Sequence, residues 1–211
     1  MGDRDYRSVI KGAIESIGRE IEPKFDKNDF KNIQLHEVVS CLRRSYYNRI
    51  DPIERDYNKF SDLLSGLVRK MQYGTEEGKY DIKGVNLVGS SDMIVDDTIV
   101  LFRFTEKLPE SPMGSDILYL NGCMWIFDKM DAILIYLTGD RQETSFSLSK
   151  NTKMFEETSR RAKVLTDLLQ TKKLPILEPS PECSDCQYYS RCFIDKKIGR
   201  SVSLKEMIGL K

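Results

Sequence analysis

Residues 85–105 read VNLVGSSDMIVDDTIVLFRFT. Two runs rich in β-branched residues flank the pair Asp96-Asp97. That pattern predicts a β-hairpin with strands over roughly 85–95 and 98–105. A two-residue turn at Asp96-Asp97 sets the register. Asp92 then stands opposite Leu101, and alternation puts Arg103 on the same face. Before the hairpin the period is helical. Ile10, Ala13, Ile14, Ile17 and Ile21 predict a helix over 5–21, ended by Pro23. A short extended segment runs from Asn32 to Leu35. Helices follow from His36 to Arg49, stopped before Pro52, and from Arg55 to Tyr73, ended by Gly74. After the hairpin, Pro109 and Pro112 mark a loop. Residues 116–128 read as a buried helix, DAILIYLTGD and QETSFSLS as strands, and 152–170 as an amphipathic helix. The sum is α/β: a small mixed central sheet flanked by helices. Three segments are expected: an N-terminal helix over 1–30, a core over 31–182, and a C-terminal cysteine knuckle and tail over 183–211.

Composition narrows the function classes. The chain has 211 residues, 40% of them apolar and 31% charged. This is ordinary for a soluble domain. Thirty-three basic residues balance 33 acidic ones, so bulk charge does not announce a nucleic-acid binder, although a local basic groove is compatible with it. No apolar run reaches the roughly 18 residues of a membrane span. MGDRDYRSVIKG has no secretory h-region, and Tyr6 breaks the myristoylation pattern. A cytoplasmic location without membrane contact is the expectation.

Cysteine spacing carries the strongest chemical signal. Cys183, Cys186 and Cys192 lie within PSPECSDCQYYSRCF, residues 179–193, and Cys41 lies far upstream. A C-x2-C pair lets two thiolates point at one centre. In a reducing cytosol such clustering favours metal over disulfides. By spacing, zinc and an iron–sulfur cluster are equally suited to these thiolates. A redox dithiol at Cys183 and Cys186 lacks a thioredoxin-like βαβ context and leaves Cys41 and Cys192 idle. Cys123 has no cysteine neighbours and reads as a small core residue.

Several stretches resemble the Cas-four family, CRISPR-associated exonucleases of RecB type with the PD-(D/E)xK nuclease fold. LHEVVSCLRRSYYNRIDP is similar to that family's first-cysteine helix. GSSDMIVDD is similar to its strand with a metal-binding aspartate. VLFRFTEKLPESP is similar to its Glu-x-Lys strand and proline loop, YLNGCMWIF to its QLNxYMW helix, and the last three cysteines to its closing ligands. The resemblance spans roughly residues 33–195. It implies a 4Fe–4S cluster on Cys41, Cys183, Cys186 and Cys192, with zinc as the alternative. It also implies DNA, as single strands or duplex ends, and CRISPR adaptation proteins as partners, with oligomer formation possible.

The nuclease residues depart from that family's pattern. Asp92 is present. Leu101 stands at the glutamate and Arg103 at the lysine; leucine cannot ligate, and arginine cannot act as a base. Glu106 and Lys107 are adjacent, so on a strand they face opposite sides. The helical histidine of the family has no counterpart in SGLVRKMQ, where Lys70 or a neighbour stands, and Tyr119 and Cys123 replace Gln and Tyr. The only histidine, His36, sits at a helix start. One carboxylate is a poor site for a hard divalent ion, which wants several oxygens. The expectation is a catalytically inactive, DNA- or partner-binding protein of spacer acquisition, either a host factor or a viral decoy. The alternative is an active DNase using Mg or Mn on Asp92 with Glu106 or His36. Candidate DNA contacts are Arg43, Arg44, Arg49, Arg69, Lys70 and Arg103.

Overall fold

The backbone divides where the hairpin and the first-cysteine helix were expected to be continuous. The computed structural model describes residues 28–53 and 77–193. The helices expected over 5–21 and 55–73 and the tail beyond 193 lie outside the described residues.

Strand β1 (Asn32–Gln34) runs directly into helix α1 (Leu35–Val39), and helix α2 (Leu42–Ile50) starts after Ser40 and Cys41. The single helix expected over 36–49 is therefore two. A helix end leaves orphan carbonyls, and side chains satisfy those of α1. The Ser40 hydroxyl donates to His36 O and the Ser45 hydroxyl to Glu37 O. The Arg161 guanidinium donates to Val38 O and Ser40 O. A cation at a helix C-terminus is also favourable to the helix dipole. None of these distant partners is visible to helical periodicity.

Strands β2 (Gly78–Asp81), β3 (Asn86–Gly89), β4 (Met93–Val95) and β5 (Thr98–Phe104) follow. The hairpin register is as expected: Met93 pairs with Val100 and Val95 with Thr98. Asp96 takes φ 52° in the turn, a left-handed conformation that a short polar side chain tolerates. The first run, however, is two strands, broken at Ser90–Asp92. β3 lies between β1 and β2 in a three-stranded sheet, while β4 is the edge of a four-stranded sheet ordered β4-β5-β6-β7, with β6 over Asp131–Leu137 and β7 over Glu143–Ser149. Among the described residues two sheets thus stand in place of the single central sheet expected, and β2 adds a strand that was not expected.

Helix α3 (Gly114–Ile126), β6 (Asp131–Leu137), β7 (Glu143–Ser149) and helix α4 (Thr152–Gln170) match the pattern reading. The Asn151 side chain caps α4 by accepting from Met154 N at 3.1 Å, the usual service of an N-cap asparagine. Asn121 of α3 ties the same cap down, donating to Asn151 O and accepting from Asn151 N, both at 2.9 Å. Phe155, Ala162, Leu165 and Leu169 of α4 join Leu35 and Val38 of α1 and Leu120 and Met124 of α3 in one core. Gly122 permits that packing: a Cβ there would sit 2.5 Å from Leu35 Cδ1. The described residues end with a 3-10 turn (Pro181–Cys183) and helix α5 (Tyr189–Phe193).

Candidate metal centre and nuclease-type site

The break between α1 and α2 presents Cys41. It is the N-cap of α2, and its carbonyl accepts from Ser45 N at 3.1 Å. Three further cysteines approach it from the other end of the chain. Cys186 N donates to Cys183 O, and Cys192 N donates to Tyr188 O, so local turns hold them on one surface. Cys41, Cys183, Cys186 and Cys192 line a single open cleft, with Arg44 and Tyr189 at its wall. All four are free thiols and none is fully buried. Burial pushes the Cys192 thiol up, and charge on Cys186 or Cys41 would push it further; a hydrogen bond and the charge of Arg43 oppose this. A cation beside a thiol favours the thiolate that a metal requires. Among the described residues, no three His, Cys, Asp or Glu side chains form a ready ligand set for a metal ion.

Arg43, expected as a DNA contact, is turned inward. It is buried, and its Nε donates to Pro175 O at 3.0 Å, fastening the loop before the knuckle to α2. Arg49 is buried as well, in a two-pronged ion pair with Glu37 at 2.6 and 2.7 Å. Arg44 is half-buried at the cleft. Arg69 and Lys70 lie outside the described residues.

The residues expected for nuclease chemistry gather where β4, β5 and the start of α3 meet. Asp92 precedes β4, and its Oδ2 accepts from Phe102 N at 2.8 Å. Leu101 is 1% exposed and belongs to the core. Two residues on, Arg103 reaches α3, where its Nε meets Asp116 Oδ1 at 2.9 Å. The other Asp116 oxygen accepts from the Tyr136 hydroxyl at 2.7 Å, and that hydroxyl accepts from Met113 N at 2.9 Å. The Arg103 guanidinium also lies over the Tyr119 ring, 5.3 Å from its centre, a favourable cation–π distance. One turn apart on α3, Tyr119 Oη and Cys123 Sγ both donate to Ser90 O. Burial lowers the Arg103 pKa, but the charge and hydrogen bond of Asp116 outweigh it and the net shift is upward. Burial pushes the Cys123 thiol far up, so it stays protonated and inert. Glu106 is exposed beyond β5, and His36 lies within α1.

Sequence reasoning placed Asp92, Leu101 and Arg103 on one side of the hairpin but missed Asp116 and Tyr136. A signal for Asp116 existed: it stands three residues before Tyr119, hence on the same helical face. Tyr136 carries no such mark, because alternation in β6 makes it look like one more inward apolar residue.

No family model and no curated protein matches the chain. Among solved structures, SSO0001 is similar over 88% of this chain and 96% of its own, with 15% identity and a TM-score of 0.65. An alkaline exonuclease from Laribacter hongkongensis is 10% identical over 75% of this chain and 93% of its own, with a TM-score of 0.47. A phage-related exonuclease from Haemophilus somnus 129PT is 13% identical over 75% and 94%, with a TM-score of 0.46. Among the described residues no helix is long and apolar enough to cross a membrane. The chain is a mixed α/β protein that shares its fold with SSO0001.

Proposed function

We propose that this is a nuclease-fold DNA-binding protein that holds ends without cutting them, with a 4Fe–4S cluster on Cys41, Cys183, Cys186 and Cys192. The observation that carries the silent-site reading is the Arg103–Asp116 pair. Nuclease chemistry of this kind needs acidic ligands for a divalent ion and a group that positions the attacking water. Here Leu101 offers no ligand, and a permanently charged guanidinium engages the acid that α3 presents. On this reading the site lacks the ligands to hold an ion and the group to position a water.

The four thiols fit an iron–sulfur cluster chemically, being soft donors sharing one cleft, and Cas-four resemblance favours it over zinc. Bound there, a cluster joins the α1–α2 elbow to the C-terminal knuckle. The same resemblance supplies the setting, CRISPR spacer acquisition, in which a non-cutting copy acts as an adaptor or as a decoy. The test is DNA digestion with Mg or Mn beside binding measured over a salt series. Expected is no cleavage above an Asp92→Ala control, with binding that survives that substitution and weakens with salt, as phosphate contacts do. Robust cleavage lost in Asp92→Ala overturns the reading and restores the DNase alternative.

A further inference from the structure

We propose that Tyr188, not a metal, docks the C-terminal knuckle on α2, so that the four-thiol cleft is assembled before any metal centre enters it. Use of the cleft as a metal centre rests on the function proposed above; the docking does not.

Tyr188 stands between Cys186 and Cys192 and is 0% exposed, unlike all four cleft cysteines. Its ring stacks on Tyr47 of α2 at 5.1 Å between centres and 25° between planes. Its hydroxyl is fully used, donating to Asn48 Oδ1 at 2.9 Å and accepting from Ile53 N at 3.2 Å. A buried aromatic hydroxyl satisfied at both ends is a specific anchor as well as an apolar one.

The neighbours of Tyr188 repeat the pattern. Arg191 lies 5.6 Å from the Tyr47 ring centre and 5.4 Å from that of Tyr188, bridging both faces. It also pairs with Asp51 at 2.8 Å and donates to Asp51 O at 2.9 Å. Gln187 Nε2 reaches the same Asn48 oxygen at 3.4 Å. Upstream, Arg43 holds Pro175 O. Each of these contacts joins the knuckle or its lead-in to the first-cysteine helix and its C-terminal end without a sulfur; one further link, the hydrogen bond between Arg43 and the Cys192 thiol, does use one. The residues between the last two cysteines thus place those thiols opposite Cys41.

A preassembled cleft has a chemical consequence. A metal or cluster that enters it does not have to order a chain segment, and its loss does not release the segment. Apparent affinity falls in proportion to the fraction of molecules with a competent site. Tyr188 is accordingly a positioning residue for the thiols.

The experiment uses the full chain. Hydrogen exchange of residues 179–193 is compared between wild type and a metal-blind variant with Cys41→Ser, Cys183→Ser, Cys186→Ser and Cys192→Ser together. Expected is knuckle protection within about threefold of wild type, and a loss of at least about tenfold when Tyr188→Ala is added. Cobalt(II) titration of reduced, metal-free protein, followed by its thiolate absorbance, should weaken at least about tenfold in Tyr188→Ala. Tyr188→Phe, which keeps the stack and loses the hydroxyl bonds, should fall between. Exchange in β5 and β6 should be unchanged throughout. A metal-blind knuckle that exchanges as fast as one carrying Tyr188→Ala overturns the proposal, because the metal would then do the docking. Wild-type protein that binds no cobalt while its knuckle stays protected sinks the metal-centre reading alone and leaves the docking upheld.

Discussion

Arg49→Met should be among the most damaging substitutions available in the described chain, and it should act on the cysteine cleft from a distance. Arg49 and Glu37 are each 2% exposed and joined at 2.6 Å. Arg49 also donates to Asp29 O at 2.7 Å and Asn32 O at 2.9 Å, while Glu37 Oε2 accepts from Gln34 N at 2.8 Å. The pair therefore joins β1, α1 and α2 and straddles the break that presents Cys41. Removing one partner of a buried pair costs about 3–5 kcal/mol, because the other charge stays buried without compensation. Domains have about 5–15 kcal/mol in total. With a urea dependence of about 1–3 kcal/mol per molar, the unfolding midpoint should fall by at least about 1 M. The assay is urea unfolding followed by circular dichroism. Glu37→Met together with Arg49→Met should recover much of the loss, since both charges are then gone. Metal occupancy of the cleft should fall in the single variant and recover in the double. A single-variant loss below about 1 kcal/mol would refute the reasoning, as would a double variant less stable than the single one.

Other outcomes follow from the same geometry. Anaerobically prepared protein should show visible cluster absorbance, bleached by Cys41→Ser and untouched by Cys123→Ser; colourless protein holding one zinc would exclude the cluster and keep the ligands. Gly122→Ala should destabilise by about 1–3 kcal/mol in thermal unfolding, because Leu35 stands where the methyl group must go. Leu101→Glu with Arg103→Lys should lower the melting temperature without restoring cleavage; it buries a carboxylate in the core and loosens Asp116 from its fork-shaped partner. Asp29 is held below its ordinary pKa, chiefly by the Asn32 side chain and then by the amides of Asn32 and Lys31, against the opposing effect of burial. A carboxylate lowered on folding contributes stability that is present above its unfolded pKa and lost as pH falls through the folded one. The cost of Asp29→Asn should therefore be largest at neutral pH and shrink below the ordinary carboxylate range, read by unfolding at several pH values.

Much of the architecture was legible because it is local. The turn at Asp96-Asp97 and the alternation after it placed Asp92 opposite Leu101, and helical period with flanking loop residues placed α3 and α4 almost to their ends. Cysteine spacing singled out the four thiols that share the cleft. What the sequence determined by itself was periodicity, turn chemistry and ligand type, each set by neighbours a few residues away. Only the tertiary structure decided the rest. Helical period cannot show that Arg161, more than a hundred residues on, would satisfy the carbonyls of α1 and let the helix break before Cys41. β-propensity cannot show that the run from 85 to 95 divides between two sheets. Basic residues next to a cysteine resemble a DNA groove in sequence; the fold turns Arg43 and Arg49 inward, where Pro175 O and Glu37 satisfy their donors. Arg103 read as a free cation on a strand until Asp116, arriving from another element, neutralised it. Charge and spacing are properties of the chain, but the partner that a charge finds is a property of the fold.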